Sequence, residues 1–368
     1  MRPPPKLSFF DAEHVERPVP AWPWRLLCAA ALVATLALAA GWELYWRTHW
    51  QEAGDYKNTQ ALWAQERRKA VGDATVLIGS SRIFFGADLD VWEKAAGGDR
   101  PVQLALEGTS PRIFLEDLAN DEKFRGLVVS DYTGVLFVQR GGRRDDVLDY
   151  VNTESLSQRA DHALSKILER RLAFIDEQTR PKRMLFLAPF PPRAGMPERT
   201  DPRKIPRMTD DRNAELWTRL MEDEQYRETA KRMWAANNAR LSHRIGPGGP
   251  MEAVVGDAAA QSVIDEVKAN VEKIRRRGGD VAFVRYPFDG PYVDFETNLF
   301  PSARFWERLV AETRSAGVSF EDYAELQGYE LPEWSHLAPR EGERFTKALV
   351  PILYEEIRRK SAERAAGR

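Results

Sequence analysis

Short apolar runs alternate with helical stretches in two separate parts of the chain, and this alternation limits the possible folds more than any other feature. The first part contains the runs 75–79, 101–106 and 134–138, and the second contains 281–284 and 318–320. Such alternation predicts an α/β fold with one mostly parallel, five-stranded sheet covered by helices on both faces. The sequence therefore favours a three-layer sandwich.

Composition places the chain among globular proteins and argues against several kinds of site. Of the 368 residues, 43% are hydrophobic and 30% are charged, and the formal net charge is -2. That charge gives no electrostatic basis for binding nucleic acid. Cys28 is the single cysteine, and no two of the five histidines are spaced as a pair of metal ligands. We therefore expect no internal disulfide, no metal centre and no cofactor.

Residues 26–42 carry no charged side chain. As a helix rising ~1.5 Å per residue they would extend roughly 25 Å, within the range of membrane-spanning segments. Trp and Tyr flank the run on both sides, as they do at membrane interfaces, and more basic residues precede it than follow it. This asymmetry predicts a cytoplasmic amino terminus and an extracytoplasmic carboxyl-terminal domain. We expect residues 25–46 to be a single-pass signal anchor in the inner membrane.

Two alternatives remain open for this segment. One is a cleavable signal peptide, since Ala37-Leu38-Ala39 has the small-residue form of a cleavage site, and the other is a buried helix of a soluble domain. With a signal anchor, the predicted parts are a cytoplasmic tail (1–24), the anchor (25–46), a juxtamembrane stalk helix (47–70), an α/β domain (71–144 and 262–360) and a helical insertion or subdomain (145–261). Within the insertion, the apolar segment 184–192 is either an extra strand or a lid.

Two serines follow the first predicted strand, in Gly79-Ser80-Ser81-Arg82. Open α/β sheets bind ligands at the carboxyl ends of their strands. A serine hydroxyl is a weak nucleophile until a base takes its proton, and Glu333-Trp334-Ser335-His336 supplies a histidine before the last predicted helix. We predict Ser81 as nucleophile, His336 as base and Glu333 as the acid that orients the imidazole. The alternatives for nucleophile and acid are Ser80 and Asp322.

These residues carry a resemblance to a known family. Gly79-Ser80-Ser81 resembles the nucleophile block of the SGNH/GDSL hydrolase superfamily, and Glu333-x-x-His336 resembles its carboxyl-terminal Asp-x-x-His block. The continuation Leu337-x-Pro339-x-x-Gly342 is also similar to that family. The resemblance covers residues 71–144 and 262–358. It implies an SGNH, flavodoxin-like fold, an esterase or acyltransferase activity, and an oxyanion-hole role for Gly108.

The chain departs from the family pattern in three places. The acid is Glu333 rather than Asp, Ser80 replaces the Asp before the nucleophile, and no Gly-x-Asn-Asp block follows the third predicted strand. Gln139 is the nearest amide that can replace the missing oxyanion donor. Loss of one such donor costs roughly 3–4 kcal/mol of transition-state stabilisation. The departures support a second hypothesis, an inactive SGNH-like scaffold that binds a glycan or a membrane partner.

The Gly-Ser-Ser-Arg form combined with a membrane anchor is also similar to SGNH-like proteins that accompany acyl transfer to bacterial cell-envelope polymers. This similarity implies an acyl ester of a carbohydrate or envelope polymer as substrate and a membrane O-acyltransferase as partner. Arg82 either binds an anionic substrate or pairs with a neighbouring carboxylate.

Overall fold

A computed structural model describes residues 22–49, 51–142, 144, 146–175, 202 and 204–367. The strands within these residues are β1 (Val76–Ile78), β2 (Val102–Gln103), β3 (Leu127–Asp131), β4 (Pro206–Met208), β5 (Ala214–Leu216), β6 (Asp280–Arg285) and β7 (Ala316–Ser319). The helices are α1 (Trp24–Arg47), α2 (Gln60–Arg67), α3 (Ser81–Gly86), α4 (Leu89–Ala95), α5 (Pro111–Asn120), α6 (Gly134–Val138), α7 (Val147–Thr153), α8 (Leu156–Glu169), α9 (Arg219–Glu222), α10 (Glu224–Ile245), α11 (Asp257–Arg276), α12 (Pro291–Leu299), α13 (Trp306–Thr313) and α14 (Pro339–Ala366).

Five strands form one sheet in the order β2-β1-β3-β6-β7. All four neighbouring pairs are parallel. The predicted mixed α/β fold with a mostly parallel, five-stranded sheet is therefore confirmed. A separate antiparallel pair, β4 with β5, lies within the region predicted as an insertion.

Side chains on the central strands alternate between two apolar clusters. Val128 packs with residues of α5 and α11, including Leu115 and Val267. The next residue, Val129, packs in the other cluster with residues of α3 and α14. Because successive strand residues point to opposite faces, the sheet is buried from both sides. This double burial explains why the residues in the middle of β1, β3 and β6 are apolar.

One predicted strand is wrong. The apolar run 134–138 forms the short helix α6, and the third strand of the sheet is Leu127–Asp131. Short apolar runs do not distinguish a strand from a buried helical turn. Gly134 also lies directly against the Phe300 ring, where a β-carbon would overlap it. The strand itself was missed because two polar residues, Ser130 and Asp131, end it.

The insertion packs directly against the α/β domain. Arg212, in the turn between β4 and β5, is fully buried, and burial lowers its pKa to about 9. Its guanidinium donates hydrogen bonds to the carbonyls of Gln103 and Ala105 at the end of β2 and lies 4.7 Å from the Phe84 ring centroid in α3. The predicted segment 184–192 lies outside the described residues.

The predicted apolar helix near the amino terminus is confirmed as α1. It is long and apolar enough to cross a membrane, and none of its most apolar window is buried. The segment predicted as a stalk is helical at α2, whose Trp63 is fully buried and donates from Nε1 to the Leu104 carbonyl at 2.9 Å. This part of the chain therefore packs onto the sheet.

Burial at the sheet predicts a measurable difference between two valines. Val281 in β6 is 1% exposed, whereas Val293 in α12 is 43% exposed. We expect Val281→Ala to lower the free energy of unfolding by about 2 kcal/mol, because buried methyl groups are removed and a cavity remains. Val293→Ala is the matched control and should change it by less than about 0.5 kcal/mol. Urea unfolding of the detergent-solubilised chain measures both, and equal losses would contradict the assigned core.

Candidate active site

The turn after β1 needs a glycine and presents a serine. Gly79 has a φ of 151°, and a β-carbon there would overlap the side chains of Asp131 and Ile83. Ser80 is the N-cap of α3, and its hydroxyl accepts a hydrogen bond from the Arg82 amide at 3.2 Å. Ser81 is therefore the first residue of the helix, half-buried at the carboxyl end of β1.

A chain of hydrogen bonds joins Ser81 to the loop before α14. The Ser81 hydroxyl lies 2.7 Å from Nε2 of His336. Nδ1 of His336 lies 2.8 Å from Oε1 of Glu333, which also accepts the His336 backbone amide at 2.8 Å. An ionised carboxylate only accepts hydrogen bonds, so the proton belongs on Nδ1 and the lone pair of Nε2 faces the serine. His336 is 2% exposed and Glu333 is fully buried.

Contacts between α3 and α14 hold the two halves of this site together. The Thr346 hydroxyl donates to the Gly86 carbonyl at 3.1 Å and accepts from the Asp88 amide at 3.0 Å. Gly342 lies in the first turns of α14, where a β-carbon would come within 3.5 Å of the Phe85 carbonyl. The start of α14, just after His336, therefore lies close to the end of α3.

The Ser80 hydroxyl forms its hydrogen bonds with other residues than the Ser81 hydroxyl does. Its hydroxyl donates to Oδ2 of Asp131, the last residue of β3, and lies 3.0 Å from the Thr133 hydroxyl. Asp131 also accepts the Ser80 backbone amide at 3.2 Å. Burial raises the pKa of Asp131, against the opposing effect of the Ser80 hydrogen bond. The geometry thus gives Ser80 a role in fixing the turn and leaves Ser81 next to the base.

The insertion supplies a residue that sequence reasoning missed. Trp234 in α10 donates from its indole Nε1 to Oε2 of Glu333, the oxygen that His336 does not use. Its ring meets the imidazole edge-on at 5.9 Å between centroids, and Phe85 lies 4.8 Å away from the imidazole. Neither aromatic residue belongs to a recognisable motif, and Trp234 is 99 positions from Glu333. No signal in the sequence pairs them.

The loop that carries the acid and base is strained at Trp334. This residue has a φ of 73°, a conformation that bulky side chains rarely adopt. Its carbonyl accepts the Asp289 amide at 2.8 Å, and its ring lies so close to Gly290 that a β-carbon would overlap it. The ammonium of Lys231, also in α10, lies 5.2 Å from the ring centroid. Helix α10 therefore contacts two consecutive residues of the loop.

Arg82 is 3% exposed and forms an ion pair with Glu296 at 3.1 Å. Its guanidinium lies 4.8 Å from the Phe288 ring centroid and 5.2 Å from that of Tyr292. Of the two predicted roles, this arrangement matches pairing with a neighbouring carboxylate. One guanidinium nitrogen, Nη2, has no hydrogen-bond partner among the described residues.

The two predicted oxyanion donors lie on neighbouring loops. Gly108 lies in the loop after β2 and has a φ of 62°. Near the start of the same loop, the backbone amide of Leu106 donates to the Gly79 carbonyl at 3.0 Å. The prediction for Gln139 depends on a third strand at 134–138, but the third strand ends at Asp131, and Gln139 is the C-cap of α6. Within the described chain, no hydrogen bond joins the Gln139 side chain to Ser81 or His336.

The arrangement is one that can activate a serine. His336 can accept the Ser81 proton while Glu333 stabilises the imidazolium that forms. Asp322, the alternative acid, follows β7 and is exposed. Glu333, by contrast, is hydrogen-bonded to Nδ1 of the imidazole. Among the described residues, no group of three or more His, Cys, Asp or Glu side chains is placed to hold a metal ion.

No family model and no curated protein matches the chain.

The buried carboxyl of Asp131 predicts a pH dependence of stability. Its pKa is raised above 3.8, so between 3.8 and the raised value the folded state binds more protons than the unfolded state. Across this window the free energy of unfolding falls as pH rises, by up to about 1.4 kcal/mol per unit. Asp131→Asn removes this contribution. Relative to wild type, the variant should gain stability from about pH 4 upward until the difference levels off above the raised pKa.

Urea unfolding of both proteins at a series of pH values measures that difference. A constant difference across the series would show that Asp131 does not titrate differently in the folded and unfolded states.

Removal of the indole donor should slow the reaction of Ser81 with a fluorophosphonate. Trp234→Phe keeps an aromatic ring beside His336 but leaves Oε2 of Glu333 without its donor. A hydrogen bond to a charged group is worth about 1.5–3 kcal/mol, so we expect Ser81 to react with a fluorophosphonate roughly tenfold more slowly or worse. The matched control is Trp217→Phe, which changes a buried tryptophan elsewhere in the insertion. Equal rates for wild type and Trp234→Phe would remove Trp234 from the site.

Proposed function

We propose that this chain is a membrane-anchored, extracytoplasmic SGNH-like esterase or O-acyltransferase. The observation that carries the proposal is the unbroken hydrogen-bonded series from the Ser81 hydroxyl through His336 to Glu333. A buried histidine between a carboxylate and a serine is the arrangement that activates serine for acyl transfer. Its position at the carboxyl ends of parallel strands is where open α/β sheets bind their ligands.

The proposed reaction has two halves. The Ser81 oxygen attacks the acyl carbon of an ester while Nε2 of His336 takes the serine proton. The tetrahedral intermediate collapses, the ester bond breaks, and the imidazolium gives its proton to the departing alcohol. Water or a sugar hydroxyl then attacks the acyl-enzyme, with His336 as base, and Ser81 recovers its proton.

Backbone amides are the proposed donors to the oxyanion. Ser81 begins α3, and the first amides of a helix have no acceptor within it. The Gly108 amide is the second proposed donor, because its loop starts beside the Gly79 carbonyl. Such donors stabilise the charge that develops on the carbonyl oxygen in the transition state.

Strand order supports the SGNH part of the proposal. The order β2-β1-β3-β6-β7 is that of flavodoxin-like sheets, and the two apolar clusters place helices against both faces. Both features support the three-layer sandwich that the resemblance implies. It also explains how β1 and the loop before α14 contribute to one site.

A cleft beside the catalytic loop supports a carbohydrate substrate. Its volume is about 460 Å³, and its lining combines aromatic and polar side chains, including Phe288, Phe320, Tyr329, Asp289 and Glu321. Aromatic faces pack against the apolar faces of sugar rings, and carboxylates accept hydrogen bonds from hydroxyls. Its lining also includes Leu331, which lies two residues before Glu333 in the chain. The proposed substrate is therefore an acyl ester of a carbohydrate or envelope polymer, with a membrane O-acyltransferase as the proposed partner.

The proposed location follows from α1. Its length and composition fit a single membrane span, and the excess of basic residues before it favours a cytoplasmic amino terminus. The proposed home of the domain is then the outer side of the inner membrane, where envelope polymers are modified.

One observation favours a second candidate function. Strand β3 ends at Asp131, whose carboxylate accepts a hydrogen bond from Ser80, and Tyr132 and Thr133 follow it without an amide side chain. A family member at this point supplies an oxyanion donor. An inactive scaffold that binds a glycan or membrane partner would need no such donor.

A comparison of the two adjacent serines tests the proposal. We expect the full chain in detergent to react with a fluorophosphonate and to hydrolyse a chromogenic acetyl ester. Ser81→Ala and His336→Ala should abolish both, whereas Ser80→Ala should keep a labelled serine, since Ser80 lies against Asp131. Loss of a triad member removes several orders of magnitude of rate.

Mass spectrometry of the labelled peptide identifies the modified residue. Labelling at Ser80, or labelling that persists in Ser81→Ala, would overturn the assigned nucleophile. A folded wild-type chain that neither reacts nor hydrolyses the ester would favour the scaffold.

A further inference from the structure

Helix α8 has its polar side against the domain and its apolar side outward. The half-buried side chains of the helix are all polar: His162, Ser165, Lys166 and Glu169. The large apolar side chains are exposed: Leu156 (81%), Leu164 (64%), Ile167 (54%) and Leu168 (51%). A period of 3.6 residues places these two sets on opposite sides of the helix. No residue of α8 is fully buried.

The inward side of α8 is held by polar contacts. Nε2 of His162 lies 3.1 Å from Oε1 of Gln65 in α2, and the ammonium of Lys166 lies 4.8 Å from the Tyr56 ring centroid. The same side borders a cleft of about 660 Å³ that it shares with residues 55–61. These contacts fix the rotation of the helix, so the leucines and the isoleucine cannot turn inward without breaking them.

An exposed apolar face of this kind is unusual in a soluble domain. Single exposed leucines are common, but a contiguous stripe along one helix marks a surface that another apolar surface covers. A helix with one strongly polar and one apolar face, and charged residues along its polar side, has the form that binds at a membrane interface.

The end of α8 and the residues that follow it are attached to the end of α1 and the residues that follow it. The Glu169 carbonyl accepts the Gly54 amide at 2.8 Å, and the Arg171 carbonyl accepts from Nη2 of Arg47 at 3.0 Å. The carboxylate of Glu43 accepts the backbone amides of Ala173 and Phe174 at 3.0 and 3.1 Å. Helix α1 carries aromatic residues at this end, including Trp42 and Tyr45, as membrane helices do at the water–lipid boundary. The carboxyl end of α8 therefore lies beside the aromatic end of α1.

We propose that α8 is a second membrane attachment, which lies in the interface of the bilayer that α1 crosses and inserts Leu164 and Ile167 among the acyl chains. The inference rests on the proposed membrane anchoring by α1. A single spanning helix leaves the domain free to rotate and tilt, whereas a helix lying in the interface beside it fixes the face that the domain presents to the membrane.

Three single-cysteine forms of the full chain test the proposal. Each is labelled with a polarity-sensitive fluorophore and reconstituted in vesicles of phosphatidylethanolamine and phosphatidylglycerol that contain lipids with a nitroxide on the upper acyl chain. The wild-type chain reports from Cys28 in α1, Cys28→Ser with Leu164→Cys reports from α8, and Cys28→Ser with Ser361→Cys is the control on exposed α14. An interfacial helix inserts ~5–10 Å, which brings a label at 164 to the depth of a nitroxide on the upper acyl chain. We therefore expect this label to be quenched at least about threefold more than the label at 361.

The outcomes distinguish the proposed role of α8 from the proposed membrane anchoring by α1. Quenching at 28 and 164, but not at 361, supports the attachment. Quenching at 28 without quenching at 164 overturns the role of α8 and leaves the anchor intact, whereas no quenching at 28 overturns the anchor and the inference that rests on it. A label at 164 that is already shielded from water in detergent, and unquenched in vesicles, assigns the apolar face to another part of the chain or a second copy and overturns the proposal. None of these readouts requires turnover, so they do not depend on the proposed esterase activity.

Discussion

One hydrogen bond, between the Ser81 hydroxyl and Nε2 of His336, joins residues 255 positions apart. It forms only because parallel strands bring their carboxyl ends to one edge of the sheet, so that the turn after β1 and the loop before α14 meet there. Two local features allow the turn and the loop to come this close. Gly79 lets the turn pass against Asp131, and Thr346 bonds α14 to the end of α3. Without this approach, Ser81 is an ordinary serine at a helix start.

The neighbouring serine shows how the same turn divides two tasks. Ser80 caps α3 and engages the buried carboxylate of Asp131, which holds the turn to β3. Ser81, one position later, points to the imidazole instead. Burial of Asp131 has a cost, seen in the raised pKa of its carboxyl, and the cost is reduced by the hydrogen bonds from Ser80 and Thr133. The turn is thus fixed by a polar contact at the carboxyl end of β3.

The insertion gives the chain features that the common α/β scaffold does not need. Helix α10 places Trp234 on Glu333 and Lys231 on the Trp334 ring, so the strained loop that carries His336 is held from outside the sheet. Helix α8, at the other end of the insertion, turns its apolar side outward beside the end of α1. The same segment therefore links the proposed catalytic loop with the proposed membrane surface.

Sequence alone determined the features that depend on local pattern: the apolar helix near the amino terminus and four of the five sheet strands. It also indicated a pair of adjacent serines, together with Glu333 and His336, in blocks that resemble a known motif. It misassigned 134–138, because a short apolar run fits a strand or a buried helical turn equally well, and so it chose Gln139 for a position that does not follow a strand. Only the tertiary structure decided between Ser80 and Ser81 as neighbour of the base, paired Arg82 with Glu296, and brought Trp234 to Glu333. Those contacts join residues far apart in the chain, and no local periodicity or spacing records which distant side chains a fold brings within hydrogen-bonding distance.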